Sequence, residues 1–520
     1  MMQTLTNLKD LIEGDRSKIP MPLVRLAQKR AINQIKNISK GTIKNNDNPK
    51  KIIFNRVYAT YDKTLYQVIG IAKALQLEGH DVKFLLCNNR FKTCSNVFSI
   101  HQKSKRICDN CSVFGSEILK ACDIPYETYT NILSQYKRNS NYPSHLEQTI
   151  NNSLVRYFKG YDDFSQHPDF DKVKNDRSCN ANDSLNAAKI IYEKENPDII
   201  YTSSCTYTEW GPFAQYMQSK GVKCIVWAYT YGEDVIFDIE KINDVFTKYK
   251  KEGYSLTESE RALVHKHMKD RKYGNIEDTK IYSFNNNQEI INKNKYDNVY
   301  AMFPNVPWDS SLVNANKIFN SVREWIDTTI NHFKSNTNNF LYIKIHPAEF
   351  IHKSYTTIVD YINKNFSPLP DNIKIINDKN VNPYVLGESI DVCIVYNGTT
   401  GVEMSIFGIP TIVVGHIYCE DKGFTYEPET VDDYCDLLTN PPPKLNNDQI
   451  KKAEEFGYYY LIKNRLPMTY VSHNNLGAYF AFNDFNDVLK HKSVQKTLRY
   501  ILDDVHITQK TILNNEIDDL

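Results

Sequence analysis

The sequence carries no excess of either charge: 63 Lys and Arg stand against 62 Asp and Glu in 520 residues. That balance argues against a general nucleic-acid binder, although a local basic groove stays open. Long apolar runs are missing too. A bilayer-crossing helix needs about 20 consecutive apolar residues, and no stretch approaches that length. The opening residues, MMQTLTNLKDLIEGDRSK, lack the basic-then-apolar order of a secretory signal, so a cytoplasmic chain is expected. Cysteine is too sparse for a small disulfide scaffold, at 11 in the whole chain. Tryptophan is rarer still, with 4 against 35 Tyr, a bias that genome composition explains as easily as a sugar-binding surface. The loop after the first expected strand, ATYDKT, has no GxGxxG, which leaves that half without a dinucleotide fingerprint. No DxD stands in a context suited to a divalent cation.

What is present fits a soluble globular protein, with 41% hydrophobic and 24% charged residues. The length calls for two large domains. Residues 1–50 read as an N-terminal helical extension. Within it LVRLAQKRAINQIKNI, from Leu23, predicts an amphipathic helix with Arg25, Lys29, Arg30 and Lys36 on its polar side. Packing on the first domain is the favoured role; anionic lipid or a partner is the alternative. KIIFNRVY from Lys51 predicts a strand, Thr64 to Leu77 a helix, and DVKFLLC from Asp81 a parallel strand, the opening of a Rossmann-like sheet. Residues 51–298 form this first domain, with Cys-containing and helical insertions; helix is expected from Ser184 to Glu195. Residues 299–480 read as a second Rossmann-like domain, with strands at VYAMF and FLYIKI and a long helix over Ser310 to Phe333. Residues 481–520 form a C-terminal helical segment with an option to return to the first domain. Two such halves in tandem predict substrate chemistry in the cleft between them.

The richest stretch is DVCIVYNGTTGVEMSIFGIPTIVVGHIYCED, Asp391 to Asp421: strand, polar turn, helix, strand and polar loop. Such a unit puts unpaired backbone N–H groups at the carboxyl edge of a sheet, where phosphates are held. Thr399 and Thr400 offer hydroxyls, and Gly401 lets the backbone approach closely. Glu403 has two readings: a capping box with Thr400, or an acceptor for a ribose or sugar hydroxyl. His416 and Lys422 lie in the following loop, where Lys422 suits a diphosphate. His346 ends another strand, with Lys344 on its side of the sheet, and is expected to donate to phosphate. In the first half, Glu209 is the candidate general base toward an acceptor hydroxyl, with Glu233, Asp234 and Asp62 as competitors. CDNC has zinc-knuckle spacing, with Cys108 and Cys111 joined by Cys94 or Cys87, but irregular outer spacings favour reduced thiols.

NVPWDS at Asn305, KIHPAE at Lys344, YNGTTGVE at Tyr396, FGIP at Phe407 and IYCEDKGFT at Ile417 together resemble the capsule polysaccharide biosynthesis proteins. That group includes capsule Kdo transferases and related surface-carbohydrate glycosyltransferases. The resemblance spans roughly residues 299 to 435. It implies an α/β, GT-B-like fold of two Rossmann-like domains facing a central cleft, and metal-independent transfer from a nucleotide sugar to a surface or capsular polysaccharide. His346 and the Thr399–Thr400 turn would hold donor phosphate, with Glu403 and Lys422 close by. No cofactor is required beyond the nucleotide-sugar donor, CMP- or UDP-linked. The implied acceptor is a glycan or lipid-linked glycan, with no nucleic acid. The implied setting is peripheral at the inner face of the plasma membrane, in contact with membrane or polysaccharide assembly proteins. Relatives often carry histidine and glycine where this chain has Ser204 and Cys205. The alternatives are a sugar-nucleotide epimerase or polyol-phosphate transferase of the same architecture, or a non-catalytic glycan-binding scaffold.

Overall fold

The computed structural model describes residues 21–59, 63–95, 105–160, 163–229, 234–237, 242–251, 253–275, 295–309, 312–352, 354–378, 380–474, 477–504, 512–513 and 516–517. The chain forms two compact units, neither of them continuous in sequence. The first comprises Met1–Tyr157, His167–Asp238 and Leu466–Gln509; the second comprises Phe158–Gln166, Ile239–Arg465 and Lys510–Leu520.

The first unit is built on strands β1 (Lys51–Val57), β2 (Asp81–Leu86), β3 (Tyr126–Thr128), β4 (Ile199–Thr202), β5 (Lys223–Tyr229) and β6 (Val235–Phe237). They lie in the order β3-β2-β1-β4-β5-β6, parallel except for β6. Alternation along β1 explains the two layers. Ile52 and Phe54 enter one core cluster, while Ile53 and Val57 enter another on the opposite face. The N-terminal helix Met21–Lys36 buries Ala31, Ile32 and Ile35 in the first cluster and leaves Arg25, Lys29, Arg30 and Lys36 exposed. The C-terminal segment adds Tyr470, Phe480, Phe485, Val494 and Ile501 to that cluster. Gly70, on the helix Lys63–Leu77, makes room for this, since a Cβ there would strike the Tyr470 ring.

The second unit repeats the plan with β7 (Asn298–Phe303), β8 (Asn339–Lys344), β9 (Ile373–Ile376), β10 (Val392–Val395) and β11 (Thr411–Val413). Their order is β11-β10-β7-β8-β9, all parallel. Renumbered within each unit, both parallel sheets run 3-2-1-4-5, the Rossmann order. The α/β, GT-B-like expectation of two Rossmann-like halves therefore holds at the level of each unit.

Some expected boundaries move. Residue 298 falls inside the second unit, because the helices Ile242–Lys251 and Glu258–Lys272 place Phe246, Val264 and Met268 in its core. The return to the first unit comes at Leu466 rather than near residue 480. The helix expected over 310–333 is observed at Val322–Ser335, started by the Ser321 hydroxyl accepting from the Glu324 N–H at 3.1 Å. The helix expected from Ser184 is longer, running Phe170–Glu195.

Candidate active site

In each sheet the strand order reverses between the first and fourth strands, and loops leaving their carboxyl ends diverge to open a crevice there. In the second unit these strands are β7 and β10. Asn305, just after β7, accepts from the Asn397 N–H just after β10 at 3.4 Å. Gly398 then turns the chain with φ 130° and ψ 169°, a backbone region open essentially to glycine alone. The helix Thr399–Ile406 begins there with no side-chain cap. Thr399 and Thr400 sit half-buried in its first turn, and Gly401 is buried against Val395 of the sheet. A capping box at Thr400 is thereby overturned, because Thr400 lies inside the helix and Gly398 occupies the cap.

Glu403 is held by partners within the second unit. Its carboxylate lies 3.1 Å from the Arg271 guanidinium and accepts from the Tyr384 hydroxyl at 3.0 Å. Arg271 also donates to that hydroxyl at 2.8 Å. The result is a buried tie between the helix Glu258–Lys272 and the helix that starts at Gly398.

His346 leaves the carboxyl end of β8, next to β7. Its Nδ1 accepts from the Ala348 N–H at 3.1 Å, which puts the proton of the neutral ring on Nε2. Burial lowers the ring's pKa below the ordinary histidine value, Asp309 opposes that shift and Lys344 adds to it. His346 is thus held as a neutral donor at neutral pH. Lys344 is 3% exposed, and its ammonium donates to the carbonyls of Ile345 at 2.9 Å and Asp378 at 3.1 Å. Burial pushes its pKa down to about 8, against the pull of Asp378.

The loop after β11 joins the same edge. The His416 N–H donates to the Ala315 carbonyl at 2.7 Å, and its Nδ1 lies 3.0 Å from Glu420. Glu420 also takes the Lys317 ammonium at 2.7 Å. Burial pushes the Glu420 carboxyl up, but the hydrogen bonds from Lys317 and His416 outweigh it and hold the group below its usual range. Lys422 reaches the Thr247 hydroxyl at 3.3 Å. His346, Thr399, Thr400, Gly401, His416 and Lys422 therefore all follow carboxyl ends of the one sheet. Lys317, Glu420 and Asn305 join them without having been singled out from sequence.

In the first unit Glu209 lies in the loop after β4, fully enclosed with Arg177. One carboxylate oxygen takes the Ser95 N–H at 2.8 Å and the Arg177 guanidinium at 2.7 Å; the other takes the Ser95 hydroxyl at 2.9 Å. Both oxygens are engaged, and neither reaches solvent. Asp183, on the same helix as Arg177, receives a bidentate pair from Arg90 at 2.8 Å and a further bond from Arg138 at 3.0 Å. The helix Phe170–Glu195 thus clamps the loops after β2 and β4. Asp234 stands half-buried before β6, while Asp62 and Glu233 lie outside the described residues.

The cysteines do not form a zinc set: among the described residues no group of three or more His, Cys, Asp or Glu is placed to hold a metal ion. Their sulfurs are used locally instead. Cys87 accepts from the Phe91 N–H at 3.2 Å, Cys111 accepts from the Ala59 N–H at 3.0 Å, and Cys108 donates to Asn89 at 2.9 Å. No described helix is long and apolar enough to cross a membrane.

These strand-end motifs can be set against known proteins. Residues 235–452 match the family described as capsule polysaccharide biosynthesis protein. All five motifs that suggested the resemblance fall inside that segment, so the recognition is borne out there. No curated protein matches the chain. Among solved structures, the chain is similar to Thermosulfurimonas dismutans KpsC, beta Kdo 2,4 transferase, at 12% identity and a TM-score of 0.35, covering 57% of this chain and 88% of that chain. It is similar to the beta Kdo 2,7 transferase of the same KpsC at 11% identity and a TM-score of 0.31, covering 52% and 79%. It is also similar to the UDP-GlcNAc 2-epimerase of Neisseria meningitidis, bound to UDP-GlcNAc, at 9% identity and a TM-score of 0.25, covering 79% and 98%.

Proposed function

We propose that the chain is a glycosyltransferase of capsule biosynthesis, moving a sugar from a nucleotide-activated donor to a surface or capsular glycan. The supporting observation is that four of the family-matched motifs, NVPWDS, KIHPAE, YNGTTGVE and IYCEDKGFT, follow carboxyl ends of strands in the second sheet, beside the point where its strand order reverses. In this reading the donor phosphate lies against the start of the helix Thr399–Ile406, with the Thr399 and Thr400 hydroxyls as donors. Departure of the nucleotide develops negative charge on phosphate. The His346 Nε2–H, held in place by the Ala348 N–H on the other nitrogen, stabilises that charge without reorganising.

No step here calls for a divalent cation, and a CMP- or UDP-linked sugar is the proposed donor. The acceptor, a glycan or lipid-linked glycan, belongs to the first unit. Asp234, Asp62 and Glu233 remain candidates for the base there, whereas the enclosure of Glu209 suits it to holding a loop. Work at the inner face of the plasma membrane, beside polysaccharide assembly proteins, completes the proposal. A thermal-shift panel of CMP, UDP, GDP and CDP tests donor binding, because a ligand of the folded state raises apparent stability. Product analysis with the sugar nucleotide of the best base then tests transfer. A donor altered without acceptor would mean an epimerase, phosphate retained in the product a polyol-phosphate transferase, and no turnover a scaffold.

A further inference from the structure

A pocket opens at the carboxyl edge of the first sheet, walled by residues after β1 and β2, and four cysteines line it: Cys87, Cys94, Cys108 and Cys111. Cys108 and Cys111 stand three residues apart near the start of the helix Lys105–Ala121. Helical rise and radius put their Cα atoms ~5 Å apart, inside the window of about 4.4–6.8 Å that a disulfide spans. Their Cβ atoms, about 5–6 Å apart at this helical spacing, must close to about 3.5–4.5 Å, so bridging tightens that turn of the helix. Both line the same pocket, so their side chains share a face. Both are half-buried, whereas Cys87 and Cys94 are buried. Burial pushes the Cys87 thiol up to about 12, which keeps it protonated and unreactive.

We propose that Cys108 and Cys111 are a reversible dithiol–disulfide pair, oxidised by a small disulfide such as oxidised glutathione. The thiolate of one cysteine attacks the oxidant, breaking its S–S bond, forming a mixed disulfide and releasing one glutathione thiolate. The other cysteine attacks the protein-side sulfur, closing the Cys108–Cys111 bond and releasing the second. The two cysteine protons end on the two departing thiolates, so the protein loses two hydrogens and the oxidant becomes two thiols. Closure draws the Cys111 sulfur away from the Ala59 N–H, which it now accepts at 3.0 Å. Ala59 follows β1 directly, so the oxidation state is felt at the sheet's carboxyl edge. This inference stands apart from sugar transfer.

The test exposes the full native chain to increasing ratios of oxidised to reduced glutathione, quenches in acid, alkylates under denaturing conditions and reads intact mass. The expected result is loss of two alkylatable thiols out of 11, a cross-linked peptide joining Cys108 to Cys111, and full recovery with dithiothreitol. Cys108→Ser and Cys111→Ser should each abolish the two-thiol loss, while Cys435→Ser should leave it unchanged. Retention of all thiols, a persistent glutathione adduct, or a cross-link mapped to another pair overturns the proposal. The wild-type map alone decides if a variant fails to fold.

Discussion

Replacing Glu209 separates two roles that its position after β4 would otherwise leave confounded. Its side chain and that of Arg177 are both 0% exposed, and they meet at 2.7 Å. Removing one member of such a pair strands the other charge in the interior, at a cost of about 3–5 kcal/mol. Glu209→Ala should therefore raise the opening equilibrium of the clamp by about two to three and a half orders of magnitude. Native-state hydrogen exchange of peptides from the helix Phe170–Glu195 and from the loop after β4 reads that change directly. The double variant Arg177→Met with Glu209→Met should regain much of the protection, because apolar residues of similar volume replace a buried pair at little net cost. The reasoning fails if Glu209→Ala keeps full protection yet abolishes sugar transfer at saturating donor. That outcome would return Glu209 to the acceptor as a general base.

His346→Ala should lower turnover by about 10²-fold through loss of one fixed donor to the leaving phosphate; unchanged turnover at saturating donor refutes the role. Lys344 has a folded pKa of about 8 against 10.5 in the unfolded chain. Between those values the unfolded state binds more protons, so stability should rise with pH across that window, and Lys344→Met should flatten the rise in urea titrations. Gly398→Ala forces a side chain into φ 130°, costing about 1–3 kcal/mol. Calorimetry should show weakened nucleotide binding, and unaltered affinity and melting temperature would contradict the strained turn. Arg271→Ala leaves Glu403 buried without its cation, and urea titration should show an unfolding free energy lower by about 3 kcal/mol or more, seen as an earlier midpoint.

The second unit was legible because its strands are short apolar runs ended by turn residues. Gly398 and His346 both sit where such runs stop, so position followed from local pattern. The polar helix Phe170–Glu195 was not legible over its first half. Its buried face carries Arg177, Asn180 and Asp183, and these pair with Glu209, Lys92 and Arg90 from distant loops. A buried polar face looks like a solvated one when its partners are remote in sequence. The same holds for Glu403, whose nearest residues offered a capping box while Arg271 supplied the real counter-charge. Lys317 gave no signal of its own, since its meaning depends on Glu420 across a loop. Asn305 stood within a motif, but its bond to the Asn397 N–H needed the adjacency of β7 and β10.

The interleaving of the two units governs the order in which this protein can finish folding. Leu466–Gln509 belongs to the first unit, and Tyr470, Phe480 and Ile501 from it are buried in that unit's core. During synthesis the amino-terminal sheet must wait, part of its apolar surface uncovered, until the ribosome has made the segment Leu466–Gln509. The second unit also borrows from upstream: the Tyr355 N–H donates to the Lys159 carbonyl at 2.9 Å, and Gly160 bridges to Thr356. A cut between the sheets therefore yields two incomplete pieces, and neither half is a natural product for separate expression. Co-expressed fragments would have to exchange segments to become whole.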